Sequence, residues 1–176
     1  MPPSDPGSPS AAASRFDVPP GFHPLGGLNG GFIAANGPLF IRREGARVQF
    51  GFRVEERHCN IMGQCHGGMM ATFCDMLLPL SAHRKSEAVG MRFLPTIGLQ
   101  IDYLAPVPLG AWVEGEAEVL RVTRSLVFIQ GLVNADGVPS VRCSGTFKLG
   151  PPFGDDMPSA APHQLPGARA AGAEPA

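Results

Sequence analysis

The sequence lacks the features that would tie a chain to a membrane or to a nucleic acid. Its 176 residues contain no apolar run close to the roughly 18 residues of a membrane span. Lysine and arginine number 14 against 15 aspartate and glutamate, for a formal net charge of -1, so no surplus of one sign points to a polyanionic partner. The first residues carry neither a basic start nor an apolar stretch, so we expect no signal peptide.

Cysteine is also scarce. The four cysteines are Cys59, Cys65, Cys74 and Cys143, and the first three lie in or beside one apolar segment. Cysteines clustered on adjacent buried elements make a poor disulfide framework. We therefore expect reduced thiols in a cytoplasmic protein.

The composition predicts one domain between two loose ends. Hydrophobic residues make up 44% of the chain, enough for a single domain with a true core. Glycine and proline number 23 and 19, and most of their excess lies near the termini, in segments with few apolar anchors. The sequence therefore predicts a domain over residues 22–150 between disordered tails at residues 1–21 and 151–176.

The apolar pattern predicts one long helix among strands. Alternation with a period of two indicates strands, and over residues 47–55 it indicates one solvent-exposed face. Residues 67–83 are apolar on nearly every side, which is typical of a buried helix, although Pro79 predicts a bend or early fraying. The predicted strands cover residues 38–43, 47–55, 92–105, 111–122, 126–134 and 138–149. Without regular strand–helix alternation, the fold class is α+β, with an antiparallel sheet wrapped around the helix.

A single carboxylate stands on this helix. It belongs to Asp75, and no other charge precedes His83. A buried carboxylate is costly unless it has a partner or a task. One interpretation is structural, with Asp75 bonded to backbone or to a neighbouring threonine. The other is catalytic, with Asp75 as a general base that activates water or as a nucleophile.

The start of the helix offers hydrogen-bond donors. Gly67 and Gly68 follow His66 where the first helical amides have no partner within the helix. Glycine lets an oxygen-bearing group approach the backbone closely, and the helix dipole favours negative charge there. The Gly67 N–H, with the side-chain amide of Asn60 as a second donor, therefore predicts an oxyanion hole. The alternative is that these are ordinary loop residues.

The spacing along the helix constrains this active site. Gly67 and Asp75 are eight positions apart, which is about 12 Å along a helix axis. A bound carbonyl and the water that attacks it should be only about 3 Å apart. Two antiparallel copies of the helix can supply both groups to one substrate, whereas one copy cannot easily do so. We infer an active site shared across a two-fold dimer.

A cluster of possible metal ligands lies beside the helix. It consists of His58, Cys59, Cys65 and His66. The spacing is not that of a zinc finger, and neighbouring residues in each His–Cys pair point in different directions. We therefore expect buried thiols and a functional His66, with no metal or other cofactor.

Two motifs resemble one known family. Residues 60–68 read Asn-Ile-Met-Gly-Gln-Cys-His-Gly-Gly, and Asp75 follows nine positions after the histidine. This pattern is similar to the hotdog-fold acyl-CoA thioesterases of the PaaI-like, 4-hydroxybenzoyl-CoA thioesterase group. Residues 95–106 resemble the family's strand that ends in Tyr-x-x-Pro. The resemblance covers residues 31–149 and implies a hotdog fold, hydrolysis of an acyl-CoA thioester, and a homodimer that often pairs into a homotetramer.

The resemblance also implies roles for single residues. Asn60 and the Gly67 amide polarise the thioester carbonyl, and His66 orients the loop and the substrate. Asp75 acts on water or on the thioester from the partner chain. Thr96 stands where related enzymes place a serine that helps to hold water.

Family members bind the CoA phosphates near a connection between late strands. Here that connection contains Arg121, Arg124 and Ser125. Two arginines at a turn suit phosphate, although solvated turn charges explain them equally well. Gly68 is a further predicted substrate contact. The alternative function is a non-catalytic hotdog module that binds acyl-CoA, and the identity of the acyl group stays open.

Overall fold

The computed structural model describes residues 17–26 and 31–153, in which one antiparallel sheet surrounds one long helix. The helices are α1 (Gly31–Asn36) and α2 (Gly67–Lys85), and the strands are β1 (His23–Pro24), β2 (Phe40–Glu44), β3 (Arg47–Arg53), β4 (Thr96–Tyr103), β5 (Trp112–Val122), β6 (Leu126–Ala135) and β7 (Val138–Lys148). Among these residues the sheet order is β1-β2-β3-β5-β6-β7-β4, and all neighbouring strands are antiparallel. Helix α2 contacts every strand from β3 to β7, which confirms the predicted fold class.

Helix α2 lies in the core because its apolar side chains pack directly against the sheet. Phe73, Leu77 and Leu78 are fully buried. Glycines in the facing strands allow this close approach. A Cβ at Gly115 would lie 2.7 Å from Leu77 Cδ2, and one at Gly145 would lie 2.9 Å from Leu78 Cδ1. The absence of a side chain at these two positions therefore sets the distance between helix and sheet.

Helix α2 continues through Pro79 to Lys85, so the predicted early fraying is wrong. Ala82 is fully buried, and its carbonyl accepts a hydrogen bond from the Ser86 amide at 3.0 Å. Three basic residues in the last turn suit the negative end of the helix dipole. Packing of the last turns against the core outweighs the one backbone hydrogen bond that proline removes.

The predicted solvent-exposed face of β3 is also wrong. Residues 48–52 are all buried, because the outer face of the strand is covered. A small cluster of Phe22, Phe40 and Trp112 packs over this face. Gly51 lies so close to the indole that a Cβ there would come within 2.6 Å of Trp112 Cζ2. These residues are distant in sequence, so the local alternation of β3 carries no signal of them.

The strand predicted over residues 92–105 is shorter, since β4 begins only at Thr96. The preceding residues run instead against the last described segment of the chain. The Phe93 amide donates to Pro151 O at 3.0 Å, and the Phe153 amide donates to Met91 O at 2.9 Å. The remaining strands begin and end within a few residues of their predicted bounds.

The two predicted tails lie largely outside the described residues, and the domain bounds of 22–150 stay a prediction. The helices found in residues 17–26 and 31–153 do not combine the length and apolarity needed to span a membrane. The cytoplasmic location also stays a prediction.

Candidate active site

Asn60 stands in a tight loop before helix α2, and its side chain shapes that loop. Asn60 Oδ1 accepts hydrogen bonds from the backbone amides of Met62 at 2.9 Å and Gln64 at 3.2 Å. Gly63 closes the loop with a φ of 69°, a conformation that favours glycine. Since Oδ1 is occupied by backbone donors, the orientation of the amide is fixed. Its Nδ2 group makes no hydrogen bond with the described part of the chain and can donate to a ligand.

His66 caps the N-terminus of α2 but leaves the Gly67 amide without an acceptor among the described residues. His66 Nδ1 accepts from the Gly68 amide at 2.9 Å. The amides of Met69 and Met70 both donate to His66 O, at 2.9 Å and 3.2 Å. In the first turn, the Gly67 N–H alone has no acceptor among the described residues. A free amide at the positive end of a helix is a donor for an oxygen that carries developing negative charge.

Asn60 and Gly67 line the same cleft, whose volume is about 580 Å³. Gly68 also borders it. The residues that form much of its wall are apolar: Met70, Leu104, Ala105, Pro106, Val107 and Val141. The cleft therefore combines two hydrogen-bond donors with a largely apolar wall, which is typical of a site for a small organic ligand.

Tyr103 completes this cleft, although in the sequence it is marked only by its place in the motif over residues 95–106. Its hydroxyl donates to Gly67 O at 2.8 Å. Its ring lies over Gly67, where an added Cβ would come within 3.3 Å of Tyr103 Cζ. Partial burial raises the pKa of the Tyr103 hydroxyl, so the hydroxyl remains a donor at neutral pH. This role is visible only in the structure, because it depends on which residue of β4 lies beside the start of α2.

Asp75 and Thr96 meet at a different place on the helix. The Thr96 hydroxyl donates to Asp75 Oδ1 at 2.7 Å. Asp75 is half-buried rather than enclosed in the core, and Thr96 is exposed at the start of β4. Neither residue lines the cleft of Asn60 and Gly67. The structure thus joins Asp75 to Thr96 but does not bring this pair to the oxyanion-hole candidates of the same chain.

The bond to Thr96 fits both interpretations of Asp75, because a threonine partner also serves a structural carboxylate. The partial exposure of Asp75 distinguishes the structural interpretation from the catalytic one better than this hydrogen bond does. A carboxylate held only for structure gains most when both oxygens are satisfied inside the protein. Asp75 Oδ2 has no hydrogen-bond partner among the described residues, so one oxygen is available to water or to a substrate.

Arg121, Arg124 and Ser125 lie at the hairpin between β5 and β6 and are exposed. Within the described residues neither arginine forms an ion pair or a hydrogen bond. The hairpin joins β7 through Leu149, whose amide donates to Ser125 O at 2.8 Å. Because β7 pairs with the start of β4 at Thr96, the arginines share an end of the sheet with the Asp75–Thr96 pair. The cleft lies at the other end, beside Tyr103.

The cluster of His58, Cys59, Cys65 and His66 does not assemble into a ligand set. The described residues hold no group of three or more His, Cys, Asp or Glu side chains arranged to bind a metal. His58 is buried, which lowers its pKa, and its Nδ1 accepts from the Glu55 amide at 3.0 Å. All four cysteines of the chain are free thiols.

Comparison with known proteins finds similarity to the thioesterase superfamily and to a candidate esterase. The model of the thioesterase superfamily matches residues 62–140. A candidate esterase of Pseudomonas aeruginosa is 28% identical over 135 residues, which are 76% of this chain and 98% of that protein.

Solved structures show the same fold. A mutant of the phenylacetic acid degradation protein PaaI from Thermus thermophilus superimposes with a TM-score of 0.56, at 21% identity, over 66% of this chain and 96% of that one. A hypothetical thioesterase of Streptococcus pneumoniae, solved with coenzyme A, superimposes with a TM-score of 0.58, at 20% identity, over 69% and 93%. With the sheet curled around one long helix, these matches confirm the predicted hotdog fold, and over residues 62–140 the chain is similar to the thioesterase superfamily.

Proposed function

We propose that the protein hydrolyses acyl-CoA thioesters to a free acid and CoA. The match to the thioesterase superfamily and the esterase relative support a hydrolase. A protein of the same fold was solved with coenzyme A, which supports the class of thioester. The reaction needs an oxyanion hole and an activated water, and the described residues offer a candidate for each.

The oxyanion hole consists of Asn60 Nδ2 and the Gly67 N–H. Both donors lack a partner in the described chain and border one cleft. His66 supports them, since it takes up the Gly68 amide and so leaves the Gly67 amide to the substrate. Removing one such donor from an oxyanion hole typically costs about 10²–10³ in kcat.

Asp75 acts as the general base. Thr96 holds one carboxylate oxygen, which fixes the carboxylate and leaves Oδ2 to take a proton from water. The hydroxide attacks the thioester carbon, and the charge moves to the oxygen held by Asn60 and Gly67. Collapse of the tetrahedral intermediate breaks the carbon–sulfur bond, and the CoA thiolate leaves. These steps need no metal and no redox cofactor.

The separation of the two half-sites is the observation on which this proposal depends most. Gly67 and Asp75 stand on one continuous helix, about 12 Å apart along its axis. Attack needs the two reacting atoms about 3 Å apart. We therefore propose that each active site combines Asn60 and Gly67 of one protomer with the partner's Asp75.

Strand β4 offers a way to build such a dimer. In the described sheet β4 pairs only with β7, so its other edge is open. Exposed apolar side chains flank this edge, among them Ile97 and Phe93. Antiparallel pairing of β4 with the β4 strand of a second copy brings the Thr96 end of one strand beside the partner's Tyr103. That arrangement places the Asp75–Thr96 pair of one chain near the cleft of the other.

The remaining predicted contacts follow from this arrangement. Arg121, Arg124 and Ser125 lie at the Thr96 end of the sheet, and we propose that they bind the CoA phosphates there. Gly68 borders the cleft and allows close approach of the substrate. The tetramer stays part of the proposal, with two dimers pairing through the outer face of the sheet, where Leu120 and Leu132 are exposed.

A panel of acyl-CoA substrates, assayed for free thiol, tests the function. We expect hydrolysis of at least one substrate and a loss of about 10³-fold or more in kcat for Asp75→Asn, which keeps the shape of the side chain but cannot accept a proton. Asp136→Asn is the matched control, because Asp136 occupies a hairpin turn with a φ of 47° that asparagine also adopts. A folded Asp75→Asn variant with near-wild-type kcat would exclude the proposed base. Binding of acyl-CoA without turnover would favour a non-catalytic module instead.

A further inference from the structure

Two thiols face each other across the base of the Asn60 loop. Cys59 and Cys65 form an isolated antiparallel bridge. The backbone hydrogen bonds beside the bridge, at 2.8 Å and 2.7 Å, join the residues on either side of the pair rather than the two cysteines. In such a non-hydrogen-bonded pair the Cα atoms lie about 4.5 Å apart and the side chains are close. A disulfide accepts Cα separations of about 4.4–6.8 Å, so the backbone spacing at this bridge permits a disulfide between Cys59 and Cys65.

The two thiols differ in access. Cys59 is partly exposed, and its sulfur makes only a weak contact of 3.5 Å with Glu55 O. Cys65 is buried under the loop but borders the cleft. Burial raises the pKa of the Cys65 thiol to about 12, so it stays protonated at neutral pH. Cys59 is therefore the thiol that meets an oxidant first.

The other two cysteines lack this access. Cys74 and Cys143 are buried completely or nearly so. Their mutual hydrogen bond and their burial raise the pKa of the Cys74 thiol. They serve as an internal comparison, since the same chain holds one reachable thiol pair and one enclosed pair.

We propose that Cys59 and Cys65 are a redox modification site, which a low-molecular-weight disulfide converts into an intramolecular disulfide that reversibly lowers the thioesterase activity. The effect on activity rests on the proposed function, whereas the modification itself does not.

The reaction is thiol–disulfide exchange. The Cys59 thiolate attacks one sulfur of the small disulfide, forms a mixed disulfide and releases the first small thiolate. The Cys65 thiol loses its proton and attacks the Cys59 sulfur, which releases the second small thiolate. Two protein thiols are thus oxidised and one small disulfide is reduced to two thiols, which take up the two protons. Excess small thiol reverses both steps.

The disulfide disturbs the oxyanion hole because both cysteines adjoin it. Cys59 precedes Asn60 directly, and Cys65 stands two residues before Gly67. Relaxed disulfides most often join Cα atoms about 5.5–6 Å apart, so closure moves the two strands apart by about 1 Å. A displacement of this size in a positioning element can lower a rate by about 100-fold. We expect a fall in kcat of about 10-fold to 100-fold.

The modification is tested on the full chain with oxidised glutathione as the probe, followed by desalting and cleavage with cyanogen bromide without reduction. Cleavage after methionine places the four cysteines on four different fragments, namely residues 2–62, 63–69, 71–76 and 92–157. We expect mass spectrometry to find fragments 2–62 and 63–69 joined. Separate fragments, or glutathione retained on Cys59, would overturn the proposed site.

Activity is followed by the ultraviolet absorbance of the thioester, which glutathione does not disturb. The oxidised protein should lose activity and regain it with dithiothreitol. Cys59→Ser, or Cys59→Ala if serine lowers the yield, should keep its basal activity and become insensitive to oxidation. Cys143→Ala is the control that keeps the wild-type sensitivity.

The two parts of the proposal fail separately. A joined pair of fragments with unchanged activity would overturn the regulatory effect. Reduced protein that forms the disulfide but hydrolyses no acyl-CoA would overturn the proposed function and the regulation with it, and would establish the modification site by itself.

Discussion

The two halves of the proposed active site stand on one helix but are built differently. At the start of α2, Asn60 and Gly67 line a cleft, and hydrogen bonds within the same chain hold both. In the middle of α2, Asp75 is half-buried, and among the described residues its carboxylate hydrogen-bonds only Thr96, which is exposed at the start of an edge strand. The first half is complete within one chain, whereas the second presents its carboxylate toward the outside.

In the proposed mechanism, this difference indicates where a second chain is needed. A donor pair with no base nearby cannot activate water, and a base with no donor pair cannot stabilise the oxyanion. The structure places the base beside the open edge of β4, and the donor pair lies at the opposite end of that strand. Antiparallel pairing of two such edges would supply each half with what it lacks. Substitutions in either half should therefore lower kcat, by amounts that depend on which group is removed.

After Asp75→Asn, the largest effect among variants that test this comparison is expected at Asn60. Asn60→Asp keeps the oxygen that accepts from Met62 and Gln64, so the loop should fold normally, but it replaces the Nδ2 donor by a negative charge. We expect kcat to fall by about 10²–10³ with little change in thermal stability. Asn60→Ala should show a similar kcat and also lose about 1 kcal/mol of stability, since its loop hydrogen bonds are gone. Rapid turnover by Asn60→Asp would remove Asn60 from the oxyanion hole.

Thr96 tests the other half with a smaller effect. Thr96→Val keeps the shape but loses the hydrogen bond to Asp75, whereas Thr96→Ser keeps the hydroxyl. A hydrogen bond to a charged group contributes about 1.5 kcal/mol or more, which corresponds to a loss of about 10-fold in kcat for the valine variant. The serine variant should retain kcat within about 3-fold. Equal rates for the two variants would show that the hydroxyl does not hold the base.

Tyr103 is expected to give the smallest effect. Tyr103→Phe keeps the ring over Gly67 and removes only the hydrogen bond to Gly67 O. The net contribution of such a bond, about 0.5–1.5 kcal/mol, corresponds to a loss of about 2-fold to 10-fold in kcat, with KM unchanged. A raised KM with unchanged kcat would instead show that the Tyr103 hydroxyl contributes to substrate binding rather than to the position of Gly67.

The sequence predicted the placement of residues on the helix better than contacts across the sheet. The interval between Gly67 and Asp75 follows from helix geometry alone, so their separation needed no tertiary information. The free Gly67 amide follows equally from the general rule for helix termini. The bond from Tyr103 depends on which residue of a strand lies beside the helix start, which local periodicity does not specify.

Two predictions failed for a related reason. The alternation in β3 predicted a solvent-exposed face, but Phe22 and Trp112 arrive from distant parts of the chain and cover it. Pro79 predicted early fraying of α2, but packing against the sheet carries the helix to Lys85. In both places long-range burial outweighed a local rule.

Mixed dimers test the shared site most directly. Asn60→Asp and Asp75→Asn chains with different affinity tags are refolded together, and dimers that carry both tags are isolated. In such a dimer one site contains both substitutions, and the other combines unchanged Asn60 with the partner's Asp75. Because the two sites of a two-fold dimer are equivalent, we expect about half of the wild-type kcat per dimer. Verified mixed dimers that are no more active than either parent variant would contradict the shared site.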